Sequence, residues 1–144
     1  MNGDIMQTRV LAASSSLSRR LWYFNQLRRY GFEAITADSG LSCIQHAATF
    51  QPHVLILEPF LTWGGSDGVL AVKQLDPTFK SVPVVVIDLQ RDASETYRIG
   101  AYQLAGYWKW MPTADELSAA IHDALARHET PLAPSFATTA SNSF

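Results

Sequence analysis

The sequence predicts an α/β fold, a five-stranded parallel sheet with helices on both faces in a doubly wound (βα)5 sandwich. Three observations predict it. Short β-rich apolar runs alternate with longer stretches of helical periodicity through five βα units. Two of the runs, around 53–57 and 83–87, are almost continuously apolar, the pattern of parallel strands covered on both sides. Helix-capping and helix-stopping residues fall at the joints between runs. Right-handed crossovers then close the sandwich.

The first strand is expected over 9–13, followed by a helix from Leu17 to Tyr30 with Leu17, Leu21, Phe24 and Leu27 inward. Gly31 stops that helix. A second strand follows over 32–37, and Asp38 or Ser39 caps a helix with Leu41, Ile44 and Ala48 inward. Pro52 ends it, and the third strand runs from His53 to Leu57. A loop from Glu58 to Ser66 carries Pro59 and the pair Gly64 and Gly65. Asp67 is placed as the cap of a short helix with Val69, Val72 and Leu75 inward. The fourth strand spans 83–88, and Asp92 to Glu95 has the form of a capping box for a fourth helix. The fifth strand spans 105–109. Thr113 to Glu116 is a strong capping box for a last helix with Leu117, Ile121, Leu125 and His128 at helical spacing. Residues 1–8 are expected to be disordered, 9–129 to form the domain, and 130–144, rich in Ser, Thr, Ala and Pro, to be a flexible tail.

Composition narrows the function. The chain has 144 residues, is 47% hydrophobic and 17% charged, enough apolar material for one well-packed domain. A formal net charge of −2 argues against a basic nucleic-acid or membrane-binding face. The single cysteine, Cys43, excludes an internal disulfide and a Cys-based zinc site. Residues Met1 to Thr8 are polar, unlike a signal peptide, and no apolar run is long enough to span a bilayer. A cytoplasmic, single-domain protein is expected.

In a doubly wound sheet, sites lie at the carboxyl ends of the strands. Those positions are Ser14 to Ser16, Asp38, Glu58 to Phe60, Asp88 to Gln90, and Trp110. The order and spacing of the elements resemble the receiver domains of bacterial two-component response regulators, of the chemotaxis-regulator type. The resemblance rests on 9–13 with a helix ending before Phe32, 52–57 with a loop ending at Asp67 and Gly68, 82–87, Gly106 and Tyr107, and 112–117 opening the last helix. It implies flavodoxin-like topology with strand order 2-1-3-4-5. It also implies a site in which an acidic pair and a phosphoacceptor aspartate hold Mg²⁺, assisted by a Thr or Ser and a Lys.

Here every one of those positions departs from the pattern. Ser14 and Ser15 stand at the acidic pair, Glu58 at the acceptor, Asp88 at the Thr or Ser, and Trp110 at the Lys. Serine hydroxyls are poor Mg²⁺ ligands, and one carboxylate holds the ion weakly. Phosphoryl transfer needs cations around a highly charged transition state, and Asp88 adds repulsion instead. Phosphorylation is therefore not expected, and no metal or other cofactor is. Two readings of Glu58 stay open: a permanent mimic of a phosphorylated aspartate, or a carboxylate at a lapsed site. If Glu58 and Asp88 lie close, one should titrate high unless Arg91 or Lys109 neutralises it.

Ser14 to Ser16 also fit an N-cap cluster or, as in a flavodoxin-like phosphate loop, a cradle for a phosphate-bearing ligand. His46, His53, His122 and His128 are scattered and build neither a triad nor a helical metal pair, so no enzymatic activity is expected. Arg19, Arg20, Arg28 and Arg29 read as a solvated basic face. Tyr107 aligns with the aromatic switch position of the family. Trp63, Trp108 and Trp110 are candidates for an interface or for a lid packed over Glu58. The expected function is a receiver that works without phosphorylation, as a protein–protein interaction module in signal transduction. It would bind another signalling protein, or itself, through its fourth helix, fifth strand and fifth helix. The alternatives are a binder or enzyme for a phosphate-bearing ligand at Ser14 to Ser16, and an atypical receiver that can still be phosphorylated.

Overall fold

The computed structural model describes residues 7–89 and 102–129. Its elements are β1 (Arg9–Ala13), α1 (Leu17–Arg29), β2 (Glu33–Ala37), α2 (Gly40–Phe50), β3 (Val54–Leu57), α3 (Gly65–Leu75), β4 (Val84–Ile87), β5 (Gly106–Trp108) and the C-terminal helix α4 (Ala114–Glu129). The five strands form one parallel sheet, as the apolar runs predict, in the order β2-β1-β3-β4-β5 that the family resemblance implies. The capping box expected at Asp92 and the 130–144 tail lie outside the described residues. Gln7 and Thr8, at the end of the leading segment, bond to Gly31 and Glu33 respectively.

Strand alternation divides the core in two. Leu11, Ala13, Leu55, Leu57, Val84 and Val86 pack with Cys43 and Ala47 of α2 and Val69 and Leu70 of α3. Val10, Ala12, Val54, Ile56, Val85 and Ile87 pack on the other face with Tyr23 and Leu27 of α1 and Leu117 and Ile121 of α4. The three central strands are buried almost throughout, as their apolar runs require. The box at Thr113 forms as expected, the Glu116 amide donating to the Thr113 hydroxyl and the Thr113 amide to the Glu116 carboxylate.

Three helix faces differ from expectation. On α1, Leu17 and Leu21 are 63% and 54% exposed, and the buried residues are Tyr23 and Leu27. The inward stripe is shifted because the polar end of Tyr23 finds a partner inside. On α2, Cys43 and Ala47 face inward while Leu41 is exposed; Ser39 caps the helix in a reciprocal pair with Ser42. On α3, Ser66, Val69 and Leu70 are buried, and Val72 and Leu75 face solvent. Asp67 lies within the first turn of α3, whose cap is Gly64 with a left-handed φ of 108° and no side-chain cap bond.

The loop from 58 to 64 is clamped to α2. Ser39 and Thr62 form a parallel bridge, and the Gly40 amide donates to the Thr62 carbonyl at 2.8 Å. A Cβ on Gly40 would lie 2.6 Å from the Trp63 carbonyl oxygen, so only glycine permits the approach. Phe60 and Trp63 hold left-handed φ values of 63° and 54° within this loop.

Candidate functional site

The alternation that builds the core also aims the site residues. Ser14 continues the Val10 and Ala12 series and Glu58 the Val54 and Ile56 series, so both turn toward α1. The Glu58 amide donates to the Ala13 carbonyl at 3.0 Å, which keeps the two positions side by side past the strand ends.

Glu58 is only 3% exposed, yet its carboxylate is fully partnered. Ser14 Oγ donates to Oε1 at 2.8 Å, Tyr23 OH donates to Oε2 at 2.6 Å, and Arg19 Nε lies 3.0 Å from both oxygens. Arg19 and Tyr23 are four residues apart on α1, hence stacked on one face one turn from the strand end. The charge-assisted bonds and the ion pair together offset the desolvation of the buried carboxylate. Burial, then the neighbouring Glu58 charge and hydrogen bond, push the ionisation of Tyr23 far above its ordinary range, so its hydroxyl remains a donor.

Asp88 continues the Val84 and Val86 series and therefore belongs to the opposite face. It is fully buried and accepts the hydroxyl of Tyr107 at 2.5 Å, with Tyr107 packed against the α2 and α3 side of the core. Glu58 and Asp88 thus turn to opposite faces of the sheet, Glu58 toward α1 and Asp88 toward the Tyr107 hydroxyl. The counter-charge to Glu58 is Arg19, part of the face expected to be solvated; Arg91 lies outside the described residues and Lys109 is exposed.

The serines have defined duties. Ser14 is buried on Glu58 and also accepts the Ser16 amide; its carbonyl accepts Arg20 Nη1. Ser16 caps α1 by accepting the Arg19 amide, and Ser15 is exposed. A phosphate at these serines would approach the charge of Glu58, which disfavours that reading. Among the histidines, His53 Nδ1 accepts the Arg9 amide, and the His122 ring lies against Phe32; the side chain of His128 lies outside the described residues.

The lid expected from the indoles is not present. Trp63 is 76% and Trp110 58% exposed, and the Trp110 ring stands edge-on to Trp108 at 5.6 Å between centroids. Arg19, Tyr23 and Ser14 already enclose Glu58, so no apolar surface there remains for an indole to cover. Spacing gave a usable signal for this: Arg19, Tyr23 and Leu27 recur every fourth residue directly after the Ser14 turn.

The family resemblance implies Mg²⁺ at this edge, and the residues do not fit it. The ion needs several oxygen ligands in a tight octahedron. Here one carboxylate is held by a guanidinium, the other faces the opposite side of the sheet, and the first-strand positions are hydroxyls. Among the described residues no group of three or more His, Cys, Asp and Glu side chains could hold a metal ion.

The sequence matches no protein-family model and no curated protein. The fold is similar to solved receiver domains. The chemotaxis response regulator CheY4 of Vibrio cholerae aligns at a TM-score of 0.75 and 18% identity, over 83% of this chain and 100% of that one. The receiver domain of a signal transduction histidine kinase from Syntrophus aciditrophicus aligns at 0.77 and 11% identity, over 88% and 96%. A response regulator receiver domain protein from Clostridium thermocellum aligns at 0.72 and 19% identity, over 83% and 95%. The chain therefore has the receiver-domain fold. Among the described residues no helix is long and apolar enough to cross a membrane.

Proposed function

We propose that this chain is a receiver-fold interaction module of bacterial-type signalling that works without phosphorylation. The observation that carries the reading is the saturation of Glu58: both oxygens at the phosphoacceptor position already accept donors from Ser14, Arg19 and Tyr23. A nucleophilic carboxylate needs a free oxygen and a neutralising metal, and here a fixed guanidinium supplies the positive charge instead. The bond from Tyr107 to Asp88 supports the same reading, since it ties the residue at the aromatic switch position to a buried acceptor.

The module would act in the cytoplasm through the face formed by the fourth helix of the sequence reading, β5 and the C-terminal helix. It would bind another signalling protein or a second copy of itself, with no nucleic acid or membrane involved. Trp110, exposed beside the half-buried Trp108, supports that face as the contact surface. The proposal assigns no enzymatic step to the chain.

The test is incubation with a small acyl-phosphate donor and Mg²⁺, read by intact mass. The reading expects no added phosphoryl mass. A stoichiometric increase located at Glu58 would overturn it in favour of a receiver that is still phosphorylated.

A further inference from the structure

A cleft lies at the amino ends of β4 and β5, away from the Glu58 edge, and is bounded by α3 on one side and α4 on the other. Its volume is about 290 Å³. Three cationic side chains line it, Lys73, Lys80 and Arg127, and among the described lining residues there is no carboxylate. In a chain whose net charge is −2, that local excess runs against the overall balance.

The charges are incompletely satisfied. The ammonium of Lys73 donates to the Lys80 carbonyl at 2.9 Å and lies 5.9 Å from the centre of the Phe79 ring, both neutral partners for a charged group with three donors. Burial lowers the proton affinity of Lys73 below the ordinary lysine range, so an anion placed there would gain more than one at a fully solvated lysine. Arg127 pairs with Asp123 one turn away, and both partners are about half exposed, so the pair is weak and can be shared. Leu70, Leu104 and Tyr102 give the cleft an apolar and aromatic surface beside the cations, and the amides of Gln74 and Gln103 also line it.

We propose that this cleft binds a small phosphate monoester carrying a flat organic body, of about the size of a mononucleotide. The cations would hold the phosphate, and Tyr102 with Leu70 and Leu104 would take the body. A bare oxyanion would leave most of the space unfilled, and a neutral ligand would gain nothing from the positive side chains. The proposal stands on residues separate from Glu58 and does not depend on how that site works.

The test is an NMR titration of the full chain with adenosine monophosphate, with adenosine and inorganic phosphate as parallel probes. The expected result is saturable shifts of the Lys73, Tyr102 and Arg127 amides with the monophosphate, and weaker binding of both fragments. Affinity should fall at least about tenfold in a Lys73→Gln/Lys80→Gln variant, and separately in Arg127→Gln, with the thermal melt unchanged. Equal binding of adenosine and its monophosphate would overturn the proposal, since the cations would then be idle. Undiminished binding to the variants, shifts mapping to Ser14–Ser16, or no saturable binding would also overturn it.

Discussion

Arg19 Nε sits 3.0 Å from each carboxylate oxygen of Glu58, across thirty-nine residues of sequence. The pair joins the first turn of α1 to the end of β3, so it is at once a tertiary clasp and the neutralisation of a buried charge. Removing one partner of such a pair leaves the other charge uncompensated. Arg19→Ala should destabilise the fold by about 2–3 kcal/mol, below the fully buried case because solvent reaches part of the guanidinium. Adding Glu58→Gln to Arg19→Ala should recover part of that loss in urea denaturation. Strict additivity of the two substitutions would show that the pair is not coupled.

Tyr23 links stability to pH. Its hydroxyl proton is held more tightly in the folded chain than in the unfolded one, where it ionises near the ordinary 10.0. The associated stability is complete below that value and is lost as pH rises above it. Urea midpoints measured from about pH 8 to about pH 11 should fall at the alkaline end, and Tyr23→Phe should flatten that fall. The same variant should cost about 1.5–3 kcal/mol at neutral pH, the range for a bond to a charged acceptor. Tyr30 shares the direction of shift through its bond to Asp115, but it is exposed and screened, so Tyr30→Phe serves as the control.

The two glycines Gly40 and Gly68 should respond oppositely to alanine. At Gly40 the added methyl meets the Trp63 carbonyl, a backbone atom that cannot swing aside, and the 58–64 loop must shift. A loss of about 1–3 kcal/mol is expected. Gly68 lies inside α3 with nothing within 4 Å of an added Cβ, so Gly68→Ala should stabilise by about 0.5–1 kcal/mol. Thermal melts of the two variants read both signs.

The strands and their parallel sheet were legible because the runs are short, apolar and bounded by turn residues, as at 53–57 and 83–87, while the strand order came from the family resemblance. The faces of α1 were less so. Periodicity counts Leu17, Leu21 and Leu27 as core, but only Leu27 of these is buried, and the other buried position is Tyr23, whose apolar ring carries a polar tip that only a tertiary partner can satisfy. The positions of the site followed from where strands end. Its contents did not, because the counter-charge comes from Arg19 on a helix, and a row of arginines on a helix reads by default as solvated. An indole lid over Glu58 does not form because Arg19 and Tyr23 of α1 already occupy the space, a tertiary contact that indole composition does not reveal.

Occupation of the phosphoacceptor position by fixed donors is the central claim, and one NMR measurement tests it most directly. The chain is titrated with Mg²⁺ and then with beryllofluoride, while the amides of Ser14, Glu58 and Phe60 and the ring of Tyr107 are followed. With Arg19, Tyr23 and Ser14 on the carboxylate and Tyr107 on Asp88, all four should remain nearly unshifted. Saturable shifts clustered at Ser14 and Glu58, with a change at Tyr107, would contradict the account and show a site that still binds metal and responds to phosphoryl chemistry.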